Sequence, residues 1–266
     1  MPLPMRKILV FILLLNFSVQ AQQKMQWPHH KKAVIVLTYD DALESQLDNA
    51  IPQLDAAHLK ATFFLTGDIN ALTIPRWRKV AKKGYELGNH TIFHPCLSTD
   101  DNPVASDHYT IHDILNEIED MNHFLFAVDG KYNTTYAYPC TETTVGGKDY
   151  VDSLKKSGLI RYARIGGDTD AVITDFKHLN PLLVPSYGLE DNTTGEQLIA
   201  FVKKVEQRGG MGIFMFHGIG GDYITTPTES HQQLLTYLKK HKKEIWVATF
   251  QQAMDYVMQQ NKLNTP

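Results

Sequence analysis

Two aspartates stand side by side, Asp40 and Asp41, at the end of an apolar, β-branched run in "AVIVLTYDDALES" (33–45). Adjacent carboxylates repel, and a divalent cation bound by one of them offsets that repulsion and leaves its neighbour available as a base. Two histidines four residues apart, His90 and His94 in "NHTIFHP", offer imidazole nitrogens to the same ion, and "FMFHGIG" carries a third, His217. A carboxylate with two imidazoles is a common open set for a catalytic metal, because positions remain for water and substrate. Asp41, His90 and His94 are therefore the expected ligands, and Asp40 is the group expected to take a proton. Singly, an Asp-Asp pair reads as a solvated turn and a His-x-x-x-His spacing as chance; their common placement at strand ends gives them weight.

The elements that must position these residues alternate between short β-rich runs and amphipathic helical stretches. Strands are expected over 34–39, 61–66, 85–89, 135–138, 160–165, 182–187, 211–217 and 245–249, and helices over 43–58, 74–83, 111–128, 148–156, 195–208 and 230–241. Gly84, Gly158 and Gly209 fall just past helical stretches, where left-handed caps belong, and Thr110 is placed as an N-cap. This pattern predicts a parallel sheet, wound open or closed into a barrel. The first and seventh strands are apolar almost throughout, as strands covered on both faces are, and belong at its centre. In such a fold the loops leaving the strand ends converge on one rim, so the three histidine- and aspartate-bearing stretches meet there.

With 266 residues and 43% hydrophobic composition, the chain has enough apolar surface for one large core. Arg6 and Lys7, the apolar run 8–15, and the small residues Val19 and Ala21 are spaced as a signal peptide over 1–21. A lead-in segment over 22–30, a barrel domain over 31–260 and a C-terminal tail over 261–266 complete the expected organisation. The formal net charge of −3 falls to −5 once Arg6 and Lys7 leave with the signal, which argues against a nucleic-acid partner and against a membrane surface after signal removal. The expected location is secreted or periplasmic. Cys96 and Cys140 would then meet an oxidising compartment, where they either pair or remain two buried thiols. His108 and His112 imitate a second metal pair but straddle a loop and a helix start, and "KKHKK" (239–243) reads as an exposed helix end.

The motifs "TYDD" (38–41) and "HTIFH" (90–94) make the chain resemble the polysaccharide deacetylases of carbohydrate esterase family four. The resemblance implies a single α/β domain, a distorted (β/α) barrel of about seven parallel strands, and a divalent metal, most often zinc, on Asp41, His90 and His94. It implies that Asp40 is the base and that "MFH" supplies Met215 as a pocket wall and His217 as general acid. It further implies an acetylated carbohydrate as substrate, with Tyr138 and Met215 lining the pocket. In the third motif the family writes Arg-x-Pro-Tyr, whereas "AYPC" places Ala137 at the arginine and Cys140 at the tyrosine. The tyrosine position contributes a backbone N–H to the oxyanion, which Cys140 can retain. The arginine that orients the base is missing, and Arg164 in "YARIGGDTD" is the candidate replacement, against the alternative of an ordinary surface arginine. A disulfide between Cys96 and Cys140 would brace the metal-bearing loop. The competing readings are a carbohydrate-binding barrel that has lost catalysis and a different metal-dependent amide or phosphoester hydrolase.

Overall fold

A computed structural model describes residues 25–98, 104–132, 135–168 and 171–263; the expected signal peptide lies outside them. In chain order the elements are β1 (Ala33–Asp40), α1 (Ile51–Ala57), β2 (Thr62–Leu65), α2 (Ile74–Lys82), β3 (Glu86–Asn89), α3 (Ile111–Asp129) and β4 (Thr135–Ala137). There follow β5 (Thr144–Val145), β6 (Lys148–Asp149), α4 (Val151–Ser157), β7 (Tyr162–Ile165), β8 (Val184–Pro185), β9 (Tyr187–Gly188), α5 (Gly195–Arg208), β10 (Met211–Phe216), α6 (Thr228–Lys240), β11 (Ile245–Ala248) and α7 (Phe250–Leu263).

The main sheet is parallel throughout and runs β8-β7-β4-β3-β2-β1-β10-β9. Only Ser186 separates β8, which pairs with β7, from β9, which pairs with β10, so one kinked segment closes the ring. The strand expected over 182–187 is thus two short ones. β11 pairs with the first half of β1 (Ala33 to Val36), and β2 pairs with its end (Thr38 to Asp40), so two neighbours share one edge of the central strand. That wedge distorts the barrel.

Strand alternation explains which residues reach the interior. In β1, Ile35, Leu37 and Tyr39 pack outward under the helices, whereas Val34 and Val36 join the interior cluster. Asp40 continues the inward set. In β10, Phe214 and Phe216 face outward and Met211 and Ile213 inward, which puts Met215 and His217 on the inward series. The same alternation turns Ala137 inward on β4 and sends Tyr136 and Tyr138 outward, into a cluster with Tyr150, Ile114 and Ile118.

Three features depart from expectation. The stretch expected as a helix from 148 begins with a tight β5–β6 hairpin around Gly146 and Gly147, both at positive φ, and α4 starts only at Val151. The helix expected over 43–58 opens with a π-helical turn, Gln46–Ala50. The third is a helix not expected from the sequence, α7, which runs to Leu263; Phe250, Ala253, Met254 and Val257, at helical spacing, plug the barrel floor. Trp27, in the expected lead-in segment, is 3% exposed and packs in the same cluster. Buried Glu86 ties the floor together, accepting from Thr62 (2.9 Å), Thr135 (2.6 Å) and the Gln251 amide at the start of α7 (2.9 Å).

Candidate metal centre

β1 delivers Asp40 at its last residue, and the chain then reverses through left-handed Asp41 (φ 77°) and Ala42 (φ 58°). This turn brings Asp41 back over the barrel mouth. β3 ends at Asn89, and the following loop carries His90 and His94; left-handed Thr91 and His94 coil it enough for both rings to face one point. Asn89 Oδ1 accepts from the Thr91 amide (2.8 Å), and Thr91 Oγ1 accepts from the His94 amide (3.0 Å).

Three donor atoms converge. His90 Nε2 lies 3.1 Å from His94 Nε2 and 3.3 Å from Asp41 Oδ1, and His94 Nε2 lies 3.4 Å from that oxygen. The edge of a tetrahedron drawn with metal–ligand bonds of 2.0–2.2 Å is about 3.3–3.6 Å. His90 Nδ1 bonds to the Ala137 carbonyl (2.8 Å), which assigns its proton to Nδ1 and turns a lone pair at Nε2 into the cluster. Asp41 Oδ1 is buried with no hydrogen-bond partner. Three lone-pair atoms directed at one another suit a shared cation and little else, so the residues fit a divalent metal.

The electrostatics agree. Burial alone would raise the Asp41 carboxyl, but His90, His94 and His217 hold it well below the usual carboxylate range. Burial and the neighbouring His90 push His94 down to about 4, whereas on His90 the pull of Asp40 and Asp41 outweighs burial and raises the imidazole. The carboxylates thus favour positive charge at the centre of the cluster, a demand that a divalent ion meets.

Asp40 stands beside the cluster, its Oδ2 3.9 Å from His90 Nε2. Its partner is Arg164, whose Nη2 donates to Oδ2 at 2.5 Å while Nη1 donates to Ser186 Oγ at 3.1 Å. The Asp40 and Arg164 side chains are 3% and 1% exposed, and the guanidinium lies 5.3 Å from the Phe64 ring centroid. Arg164 is no surface arginine. It pairs directly across β4–β7 with Ala137, so both residues face the interior from adjacent strands. A guanidinium thus reaches Asp40 from the strand next to the one that carries Ala137.

His217 follows β10, its side chain 14% exposed and its Nε2 3.8 Å from Asp41 Oδ2. Met215 is partly buried, 3.9 Å from Ser186 Oγ through its sulfur. Cys140 sits in a left-handed turn (φ 50°) after β4 and is joined to Cys96 by a disulfide with a Cα separation of 5.7 Å. The bridge ties the His94 loop to the Cys140 turn, and Cys96 Sγ lies 3.4 Å from His94 Nδ1. His94, Cys96 and Cys140 also cluster as potential metal ligands, but the S–S bond commits both sulfurs. One expectation fails: Tyr138 does not line the pocket. It is 1% exposed and lies between Tyr136 and Tyr150, because it has the outward parity on its strand.

Two groups went unread in the sequence. Gln46 Nε2 donates to the backbone carbonyls of Asp40 (2.5 Å) and His217 (3.1 Å), stitching two arms of the site together. Tyr223, from the loop after β10, donates to Asp41 Oδ2 at 2.7 Å. Neither has a motif around it. His108 and His112 form no such cluster among the described residues, and His112 bonds to Asn116 instead.

The polysaccharide deacetylase family profile matches residues 28–159. A peptidoglycan-N-acetylglucosamine deacetylase of Bacillus cereus is 38% identical over 71 residues, 26% of this chain and 26% of its own length. The chain spans less than half the length of the curated relatives it matches. Among solved structures, a family 4 acetyl xylan esterase from Clostridium thermocellum, in complex with a cobalt ion, superposes with a TM-score of 0.56 at 19% identity, covering 84% of this chain and 90% of that one. The peptidoglycan deacetylase PdaC from Bacillus subtilis has a TM-score of 0.56 at 17% identity, covering 87% and 94%. These two share the fold. With the profile match lying over both motif-bearing loops, the chain belongs to the polysaccharide deacetylase family.

Proposed function

We propose that the protein is an exported hydrolase, dependent on a divalent metal and most often loaded with zinc, that removes acetyl groups from an acetylated carbohydrate. The observation that carries this reading is the convergence of Asp41 Oδ1, His90 Nε2 and His94 Nε2 beside Asp40, a second carboxylate already paired with Arg164. When bound, the metal supplies Lewis acidity that polarises a carbonyl and lowers the pKa of water.

The chain's own residues do the rest. Asp40 takes the proton of the attacking water, and Arg164 holds that carboxylate in place. The Cys140 N–H, presented by the turn after β4, donates to the tetrahedral oxyanion; donors of this kind are worth about 10²- to 10³-fold. His217 protonates the departing sugar oxygen or nitrogen, and acetate leaves without a covalent enzyme intermediate. Met215 walls the acetyl site. The Cys96–Cys140 bridge, a feature of oxidising compartments, and the signal-like segment over 1–21 support export. No helix among the described residues is long and apolar enough to cross a membrane.

The same residues serve an O-acetyl ester, as on xylan, and an N-acetyl amide, as on chitin-like or peptidoglycan sugars. The test is acetate release from acetylated xylan, chitooligosaccharides and peptidoglycan fragments, before and after chelation and after zinc is restored. Acetate from at least one class, lost on chelation and regained with zinc, is expected. Chelator-independent release, or binding of glycans with no acetate from any of them, would refute the proposal.

A further inference from the structure

The loop after β10 returns over the metal centre and places there a group that the proposed reaction does not use. Tyr223 reaches Asp41 Oδ2 with its hydroxyl at 2.7 Å, and its ring centroid lies 6.2 Å from that of His217. Tyr223 is 52% exposed. The two oxygens of Asp41 consequently have different partners: Oδ1 faces both imidazoles, and Oδ2 accepts from the phenol. His217 Nε2 is 3.8 Å from the same Oδ2, too far for a hydrogen bond. Without the phenol, that oxygen would be the nearest anionic acceptor for the His217 N–H.

The backbone holds Tyr223 in this place at a cost. The residues on either side, Asp222 (φ 60°) and Ile224 (φ 44°), are left-handed, and a β-branched residue rarely adopts that conformation. The strain is held by bonds on every side: the Ser45 amide donates to Asp222 Oδ2 (2.9 Å), the Gly218 amide to the Tyr223 carbonyl (3.1 Å) and the Thr226 amide to the Gly218 carbonyl (2.9 Å). Gly218 is required for this close return, since a Cβ there would lie 2.0 Å from the Gly221 carbonyl oxygen.

We propose that Tyr223 is a positioning residue of the metal centre: its hydroxyl engages Asp41 Oδ2 so that Oδ1 alone is presented to the cation, and it keeps His217 from pairing with Asp41. The inference rests on reading Asp41, His90 and His94 as the metal ligands. Outer partners of ligating groups change metal affinity about 10- to 100-fold when removed.

The experiment titrates zinc into metal-stripped full chain against a chromophoric chelator, for the wild type, Tyr223→Phe, Tyr223→Ala and His90→Ala, with thermal melts of each stripped protein. Expected are a 10- to 100-fold weaker zinc affinity for both Tyr223 variants, stripped-protein melts unchanged for Tyr223→Phe, and, at saturating zinc, a lower kcat with KM preserved in that variant. Tyr223→Phe binding zinc as tightly as the wild type, while His90→Ala loses it, would overturn the role of the hydroxyl and leave the centre standing. Loss in Tyr223→Ala with none in Tyr223→Phe would also overturn it, assigning the effect to the ring. Wild-type zinc affinity in His90→Ala would overturn the centre itself.

Discussion

Replacing Arg164 with alanine removes the guanidinium that pairs with the proposed base. The pair is almost fully buried, 3% exposed at Asp40 and 1% at Arg164, so solvent screening offers little relief. Removing one partner of a buried pair typically destabilises by about 3–5 kcal/mol, because the other charge is left uncompensated. The Asp40 Oδ1 atom already lacks a partner, which argues for the upper part of that range. At about 2–4 °C per kcal/mol for a chain of this size, the melting temperature should fall by roughly 6–20 °C. Turnover measured well below that melt should fall as far as a mispositioned general base allows, about 10²- to 10⁴-fold in kcat/KM. Arg164→Lys should recover only part, since one ammonium cannot reproduce the fork that engages Asp40 and Ser186 together. The double variant Ala137→Arg/Arg164→Ala moves the guanidinium to the directly paired residue, about 4.8 Å across the sheet, and should restore activity above that of Arg164→Ala. Acetate release and thermal melts of metal-loaded and stripped protein read both quantities. An Arg164→Ala protein with wild-type kcat/KM would refute the reasoning, whatever its stability.

His90→Ala should abolish zinc retention on gel filtration, whereas Asp40→Asn should retain zinc and lose turnover; near-normal acetate release by Asp40→Asn would remove Asp40 as the base. Cys96→Ser/Cys140→Ser opens a 44-residue loop, for which the chain-entropy estimate is a loss of about 4 kcal/mol, read by denaturant unfolding. The same variant should hold zinc less tightly, because the His94 loop loses its tie to the Cys140 turn, and an unchanged zinc affinity would confine the bridge to a stability role. His231 is buried against Tyr39 (2.7 Å) and Gln53 (2.5 Å), and burial pushes its imidazole down to about 3. Between that value and an ordinary 6.5 the unfolded chain binds the extra proton, so this contribution is fully present above pH 6.5 and drains away as the pH falls towards 3, by up to about 5 kcal/mol. Wild-type unfolding free energy should therefore fall more steeply from pH 6 to 4 than that of His231→Gln, by up to about 1.4 kcal/mol per pH unit; parallel slopes would exclude His231.

The candidate ligand set that the structure brings together could be named from local signals: Asp41 ends an apolar run, and His90 and His94 sit four apart just past the next strand but one. That β1 and β10 are covered on both faces followed from their nearly continuous apolar runs, whereas their pairing with each other was decided by the fold. Alternation along the strands carries further information. Tyr138 has the parity of Tyr136 and so points away from the mouth, and Phe250, Ala253, Met254 and Val257 mark α7 by their spacing.

What the amino-acid order determined alone is the chemistry on offer: two carboxylates, three imidazoles and a parallel α/β scaffold to hold them. What only the tertiary structure decided is which distant groups complete it. Arg164 meets Asp40 because β4 and β7 are paired in a register that sets it opposite Ala137; Cys140 meets Cys96 across two loops; Tyr223 meets Asp41 because a strained loop folds back over the rim. Such pairings depend on strand register and loop return, which bring together residues 44 to 182 positions apart, and no periodicity within a single segment encodes them.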